Sequence, residues 1–178
     1  MFSVHLDVPS SSFIEDSLIN QKFIKKKNQY VLNEKSTILI NAIIDSSRCK
    51  LTLEFSPQLN LEQYARIHQV LSNLIEDLSA VYDDTNSLLG YLKNGEGAYI
   101  LTNWHKWIDF LQQAKLKTLE GKKVRILDEN QLELATGLFV GYQKNENSAV
   151  ISKCTVITLF GERTFKGTSL TIEATNEW

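Results

Sequence analysis

Residues 119–174 carry five short apolar-alternating segments in fewer than sixty positions, with no helical stretch between them. The segments fall at 122–127, 131–142, 148–153, 155–160 and 169–174. Gly121, Asp128-Glu129-Asn130, Lys144-Asn145-Glu146-Asn147, Gly161 and Gly167 punctuate them. A side-chain period of two bounded by turn-forming residues reads as strand after strand. At this density such strands form a small barrel or sandwich, the folds that leave few sheet edges open. The expectation is a five-stranded small β-barrel over residues 116–178.

The preceding residues, 1–115, have a different texture. Phe2, Val4, Leu6 and Val8 alternate with polar neighbours, as a strand with one solvated face does. That opening has no basic leader and is read as a strand rather than a signal peptide. Ser12 and Glu15 stand at capping-box spacing and predict a short helix over 13–20. Strands are expected at 22–25 and 29–32. The run 37–44 is almost continuously apolar, and residues 49–55 alternate again behind an Asp45-Ser46-Ser47 turn. Asn60, with Gln63 three residues on, opens the strongest helix. Tyr64, Ile67, Leu71, Leu74, Leu78 and Val81 recur at three and four, so this helix is expected over 60–82 with its apolar stripe on the sheet. Residues 88–101 fit either a hairpin turning at Asn94-Gly95 or a short helix ending there. A further helix over 104–115 is apolar nearly all round. The fold class is therefore α+β: a mostly antiparallel N-terminal sheet packed by an amphipathic helix, then the small barrel.

Composition narrows the function. Of 178 residues, 43% are hydrophobic and 22% charged, so the chain can bury an ordinary core. Nineteen basic against twenty-one acidic side chains argue against a protein that coats nucleic acid or an anionic membrane. No apolar run approaches the roughly 18 residues of a membrane span. Two cysteines, Cys49 and Cys154, lie far apart without a neighbouring ligand, which predicts no metal site and a reducing, cytoplasmic setting. Cys49 falls on the apolar side of its strand pattern and is expected to be a small buried hydrophobe.

The last sixty residues resemble the Sm-like family of small barrels. The resemblance rests on Gly121-Lys122-Lys123-Val124-Arg125-Ile126, on Gly137-Leu138-Phe139-Val140-Gly141-Tyr142 and on Lys166-Gly167-Thr168-Ser169-Leu170, with Trp104–Lys115 standing where the family has its first helix. It covers about a third of the chain. Gln143 stands where the family has an acid, and Lys166 where it has an arginine. The resemblance implies ring assembly and single-stranded RNA bound near Asn147, Lys166 and Gly167. Lys123 and Arg125 share one strand face and extend that patch, with Phe139, Tyr142 and Phe165 as stacking surfaces.

The sequence carries no familiar catalytic constellation. No G-x-S-x-G, H-E-x-x-H, phosphate-binding glycine loop or dinucleotide fingerprint occurs. His105 and Asp109, one helical turn apart, are the sole pair with acid–base spacing, and a surface pair without a role explains them better. The acidic pairs Glu76-Asp77 and Asp83-Asp84 crowd a helix end where the macrodipole disfavours them, and hydration is the expected compensation. The sequence thus points to a non-catalytic binding or assembly protein without cofactor, engaging a protein partner or its own copy. Single-stranded RNA is the alternative ligand, and an enzyme using His105 and Asp109 is the remote third reading.

Overall fold

The computed structural model describes residues 1–145 and 150–175. The chain divides into two compact units, Met1–Trp107 and Ile108–Trp178. The sequence places the break at 115/116. A helix bridges the difference: α3 (Trp104–Lys117) begins in the first unit and ends in the second.

The first unit is a six-stranded antiparallel sheet with two helices. Its strands are β1 (Phe2–Asp7), β2 (Ile24–Lys26), β3 (Gln29–Glu34), β4 (Thr37–Asp45), β5 (Lys50–Phe55) and β6 (Val81–Asp83), in the order β2-β3-β4-β5-β1-β6. Val4, Leu6, Leu51 and Leu53 are fully buried, as the alternation in β1 and β5 requires. Helix α1 (Ile14–Asn20) is preceded by one 3-10 turn, so Ser10 rather than Ser12 supplies the cap. Helix α2 (Leu61–Leu78) starts where expected. The Asn60 side chain accepts from the Gln63 amide at 2.9 Å, and Gln63 returns the bond to the Asn60 amide at 3.1 Å. Its stripe of Tyr64, Ile67, Val70, Leu71, Leu74 and Leu78 is buried, at roughly 1.5–3 kcal/mol for each large apolar side chain. Phe55 meets Tyr64 edge to face at 6.4 Å.

Two expectations fail here for identifiable reasons. Helix α2 ends at Leu78, not 82, because Ser79 takes a left-handed conformation (φ 48°) and the Ala80 amide closes onto the Ile75 carbonyl. Val81 and Tyr82 therefore leave the helical stripe and form β6, with Tyr82 opposite Leu6 of β1. Cys49 does not continue the β5 alternation. It occupies the turn before β5 at φ 50° and is half-buried. The ambiguous 88–101 region is a hairpin, β7 (Leu88–Tyr91) with β8 (Gly97–Tyr99), turning through Gly95 at φ 85°.

Among its described residues the second unit holds a closed barrel of four strands, β9 (Lys123–Leu127), β10 (Glu133–Lys144), β11 (Ile151–Thr158) and β12 (Gly161–Ala174). Five strands were expected. The segments read separately at 148–153 and 155–160 are, over their described residues, one strand, because Cys154, where a break was foreseen, keeps its pairing with Tyr142 and Phe165. The residues 161–168, unassigned in the sequence, continue into the segment 169–174 as the long β12, which pairs with β11 at its start and β9 at its end. Val124, Ile126, Phe139, Cys154, Val156 and Ile172 form its core. Gly137 is required there: a Cβ would stand 2.5 Å from the Ile157 carbonyl oxygen. Among the described residues no helix is long and apolar enough to cross a membrane.

Candidate docking face

Strand alternation decides what the barrel shows to water. On β11, Cys154 and Val156 point inward, which sends Lys153, Thr155 and Ile157 outward. On β10, Phe139 points inward and Leu138 and Val140 outward, with a bulge between Phe139 and Gly141. Leu138 and Ile157 are register partners, so their side chains adjoin across the strands. Leu138, Val140 and Ile157 are each 46% exposed.

This apolar face continues onto the β11–β12 turn. The two-residue loop is Leu159-Phe160, between Thr158 and Gly161 at φ 95°. The Phe160 amide donates to the Thr158 hydroxyl at 3.1 Å, and that hydroxyl donates to the Gly161 carbonyl at 3.0 Å, so the loop geometry is fixed. Turn tips favour Gly, Asn and Asp. Here the tip holds Leu159 at 100% exposure and Phe160 at 84%. An open groove runs beneath it, lined by Leu134, Thr136, Leu159, Phe160 and Phe165. Together Leu138, Val140, Ile157, Leu159 and Phe160 leave an apolar patch in water, the kind of surface that marks an interaction site.

Charge is segregated along the same face. On β12 the outward residues run Glu162, Thr164, Lys166, opposite Ile157, Thr155 and Lys153 of β11. Glu162 and Glu133 flank the hairpin-tip end, as do Asp128 and Glu129 in the loop before β10. At the far end Lys153 faces Lys166 directly. Like charges opposite each other on one sheet face repel. Neither ammonium has an acidic partner among the described residues.

The residues expected to bind RNA distribute differently. Lys166 lies on this face. Gly167 follows it where a Cβ would come 2.8 Å from the Leu170 side chain, a close approach that packing alone explains. Lys123 stands opposite Leu138 on β9. Arg125 is engaged: its Nε and Nη2 both donate to Glu173 Oε2, at 2.9 and 2.7 Å. Asn147 lies outside the described residues. The expected stacking surfaces are turned inward, with Phe139 buried and Tyr142 and Phe165 packed on the barrel core.

Each member of the expected acid–base pair has its own neighbour. His105 presents its ring to His68, centroids 5.4 Å apart, while Asp109 lies 3.7 Å from the Lys144 ammonium. His68 stacks on Trp104 at 4.8 Å and bonds through Nδ1 to the Ile100 carbonyl at 2.8 Å. A carbonyl only accepts, so Nδ1 carries the proton. Burial lowers the His68 pKa, partly opposed by that hydrogen bond, and the neighbouring His105 lowers it further. Among the described residues no group of three or more His, Cys, Asp or Glu could hold a metal ion. The Asp83-Asp84 pair is not simply hydrated. Asp83 accepts from the Thr85 amide and hydroxyl. Asp84 is buried and accepts from the Leu101 amide (2.9 Å), the Thr102 amide (2.8 Å) and the Thr102 hydroxyl (2.9 Å).

The sequence reading does not single out Leu159 and Phe160 as exposed. The signal is Leu159-Phe160 immediately before Gly161, an apolar pair at a turn that alternation alone assigns to a strand ending at 160. No protein-family model matches the chain, and no curated protein matches it. Among solved structures, a biotin protein ligase from Aquifex aeolicus in complex with biotin and ATP is similar over 97% of this chain and 79% of that one, at 13% identity and a TM-score of 0.27. A likeness this slight carries no argument.

Proposed function

We propose that this chain is a non-catalytic binding or assembly protein whose barrel docks a protein partner through the Leu138–Ile157 face and the Leu159-Phe160 tip. The observation that carries the reading is the exposure of those five apolar side chains, Val140 included, as one continuous surface. Burying such a surface supplies roughly 25 cal/mol per Å², and the rigid hairpin tip loses little entropy on docking. In this reading the protein acts in the cytoplasm, where its two free thiols, Cys49 and Cys154, stay reduced.

A photo-cross-linking amino acid placed at Phe160, and separately at exposed Glu96 on the β7–β8 turn, tests this in the host cell. A discrete protein adduct at 160 and none at 96 supports the reading. No adduct at either position overturns it. Titration of a labelled single-stranded RNA supplies the other arm. Saturable binding that weakens steeply with salt and with Lys166→Ala replaces the protein partner by nucleic acid. Apolar docking barely responds to salt.

A further inference from the structure

We infer that the occupant of this face is a second copy of the same chain, packed barrel to barrel about a two-fold axis with the two faces antiparallel. The inference rests on the docking reading above and names its partner.

The charge distribution carries it. Along β10, β11 and β12 the order is acidic, apolar, basic: Glu133 and Glu162 at the hairpin-tip end, Leu138, Val140 and Ile157 in the middle, Lys153 and Lys166 at the far end, with Lys123 of β9 flanking the middle beside Leu138. Glu162 and Lys166 are four residues apart on one strand, about 13 Å at the usual rise. A two-fold contact presents the same patch on both subunits. Antiparallel packing of two such faces sets apolar on apolar and brings the Lys153/Lys166 pair of one copy against Glu133 and Glu162 of the other. The repulsion between Lys153 and Lys166 is then answered by carboxylates. Parallel packing does the reverse and stacks like charge on like. Arg163, at the acidic end, offsets part of that charge without changing the sign of the gradient.

A closed barrel offers no free strand edge, so the contact is side chain to side chain and reads the charge pattern directly.

Sedimentation equilibrium of the full chain tests this with two charge-reversed variants. Wild type is expected to be dimeric at micromolar concentration. The double variants Lys153→Glu/Lys166→Glu and Glu133→Lys/Glu162→Lys are each expected to self-associate at least tenfold more weakly. Mixed in equal amounts, they are expected to regain a heterodimer, identified by native mass spectrometry. Recovery in the mixture excludes misfolding as the cause of the single-variant losses. A monomeric wild type overturns the inference, as do variants that remain dimeric or a mixture that stays monomeric. A monomeric wild type that still gives a discrete adduct with a different protein through position 160 leaves the docking face standing and removes only the second copy. No adduct at all removes both.

Discussion

Asp84 offers a direct test of how the first unit is held together. Its carboxylate is buried and joins the loop after β6 to the chain leaving β8, taking two backbone amides and one hydroxyl. Ser87 reinforces the junction, donating to the Asp84 carbonyl at 2.7 Å and accepting from the Ile100 amide at 3.1 Å. In Asp84→Ala the amides of Leu101 and Thr102 lose their acceptor, while the Thr102 hydroxyl rotates to water. An unsatisfied buried donor costs about 1–3 kcal/mol, and the site's partial exposure places each amide near the lower end. The expected loss is about 2–4 kcal/mol, a large share of a typical 5–15 kcal/mol. Asp84→Asn keeps one carbonyl oxygen for the amides and presents an amide donor to the Thr102 hydroxyl, so it is expected to cost about 1 kcal/mol through the lost charge alone. Urea unfolding followed by tryptophan fluorescence reads this, since Trp104 and Trp107 belong to the same unit. With a urea slope of about 2 kcal/mol/M the alanine variant's midpoint falls by about 1–2 M. A loss below about 1 kcal/mol at unchanged slope, or an asparagine variant as weak as alanine, refutes the assignment of the amides to this carboxylate.

Further outcomes follow from single residues. Gly137→Ala drives a Cβ into the Ile157 carbonyl and is expected to destabilise the barrel by about 1–3 kcal/mol. Gly141→Ala, whose Cβ meets nothing, serves as the control, and calorimetry compares them. The folded state favours neutral His68 because its pKa is lowered from the model-compound 6.5. Its contribution is therefore complete above about pH 6.5 and is lost as the pH falls through that value toward the lower folded pKa. His68→Gln is expected to flatten the dependence of the urea midpoint between about pH 7 and 5, and an unchanged slope contradicts this reading. Burial pushes the Cys154 thiol up to about 11, so at pH 8 a thiol reagent is expected to modify one cysteine of the native protein, the half-buried Cys49. Peptide mapping that finds Cys154 labelled first shows the barrel core opening on the labelling timescale.

Much of the fold was legible because it is written in near neighbours. The period of two in residues 2–8 became β1, and the Asn60/Gln63 spacing became the cap of α2. The turn residues at 93–96 became the β7–β8 hairpin, although the sequence left that segment open between two readings. In each case the residues that specify the structure lie within a few positions of one another, where propensity and capping act. The errors share the opposite property. Val81 and Tyr82 satisfy a helical stripe, yet a left-handed Ser79 and an available edge of β1 draw them into the sheet. Cys154 reads as a break between two strand segments, while its pairing with both Tyr142 and Phe165 makes it the middle of one strand.

The exposed apolar face around Leu138 and Ile157 belongs to that second class. Local order foresaw strands around Leu138 and Ile157, because alternation needs no distant partner. It was the β10–β11 register that set those two side chains together and turned Phe139 and Tyr142 inward, reversing the roles expected of them. The placement of Lys153 against Lys166, and of Glu162 one hairpin turn away, likewise depends on which strands pair and with what offset. A one-residue shift would send each of these side chains to the opposite face. Local periodicity thus foresaw most of the elements, while long-range pairing and barrel closure set which residues meet, and with them the surface on which function is proposed.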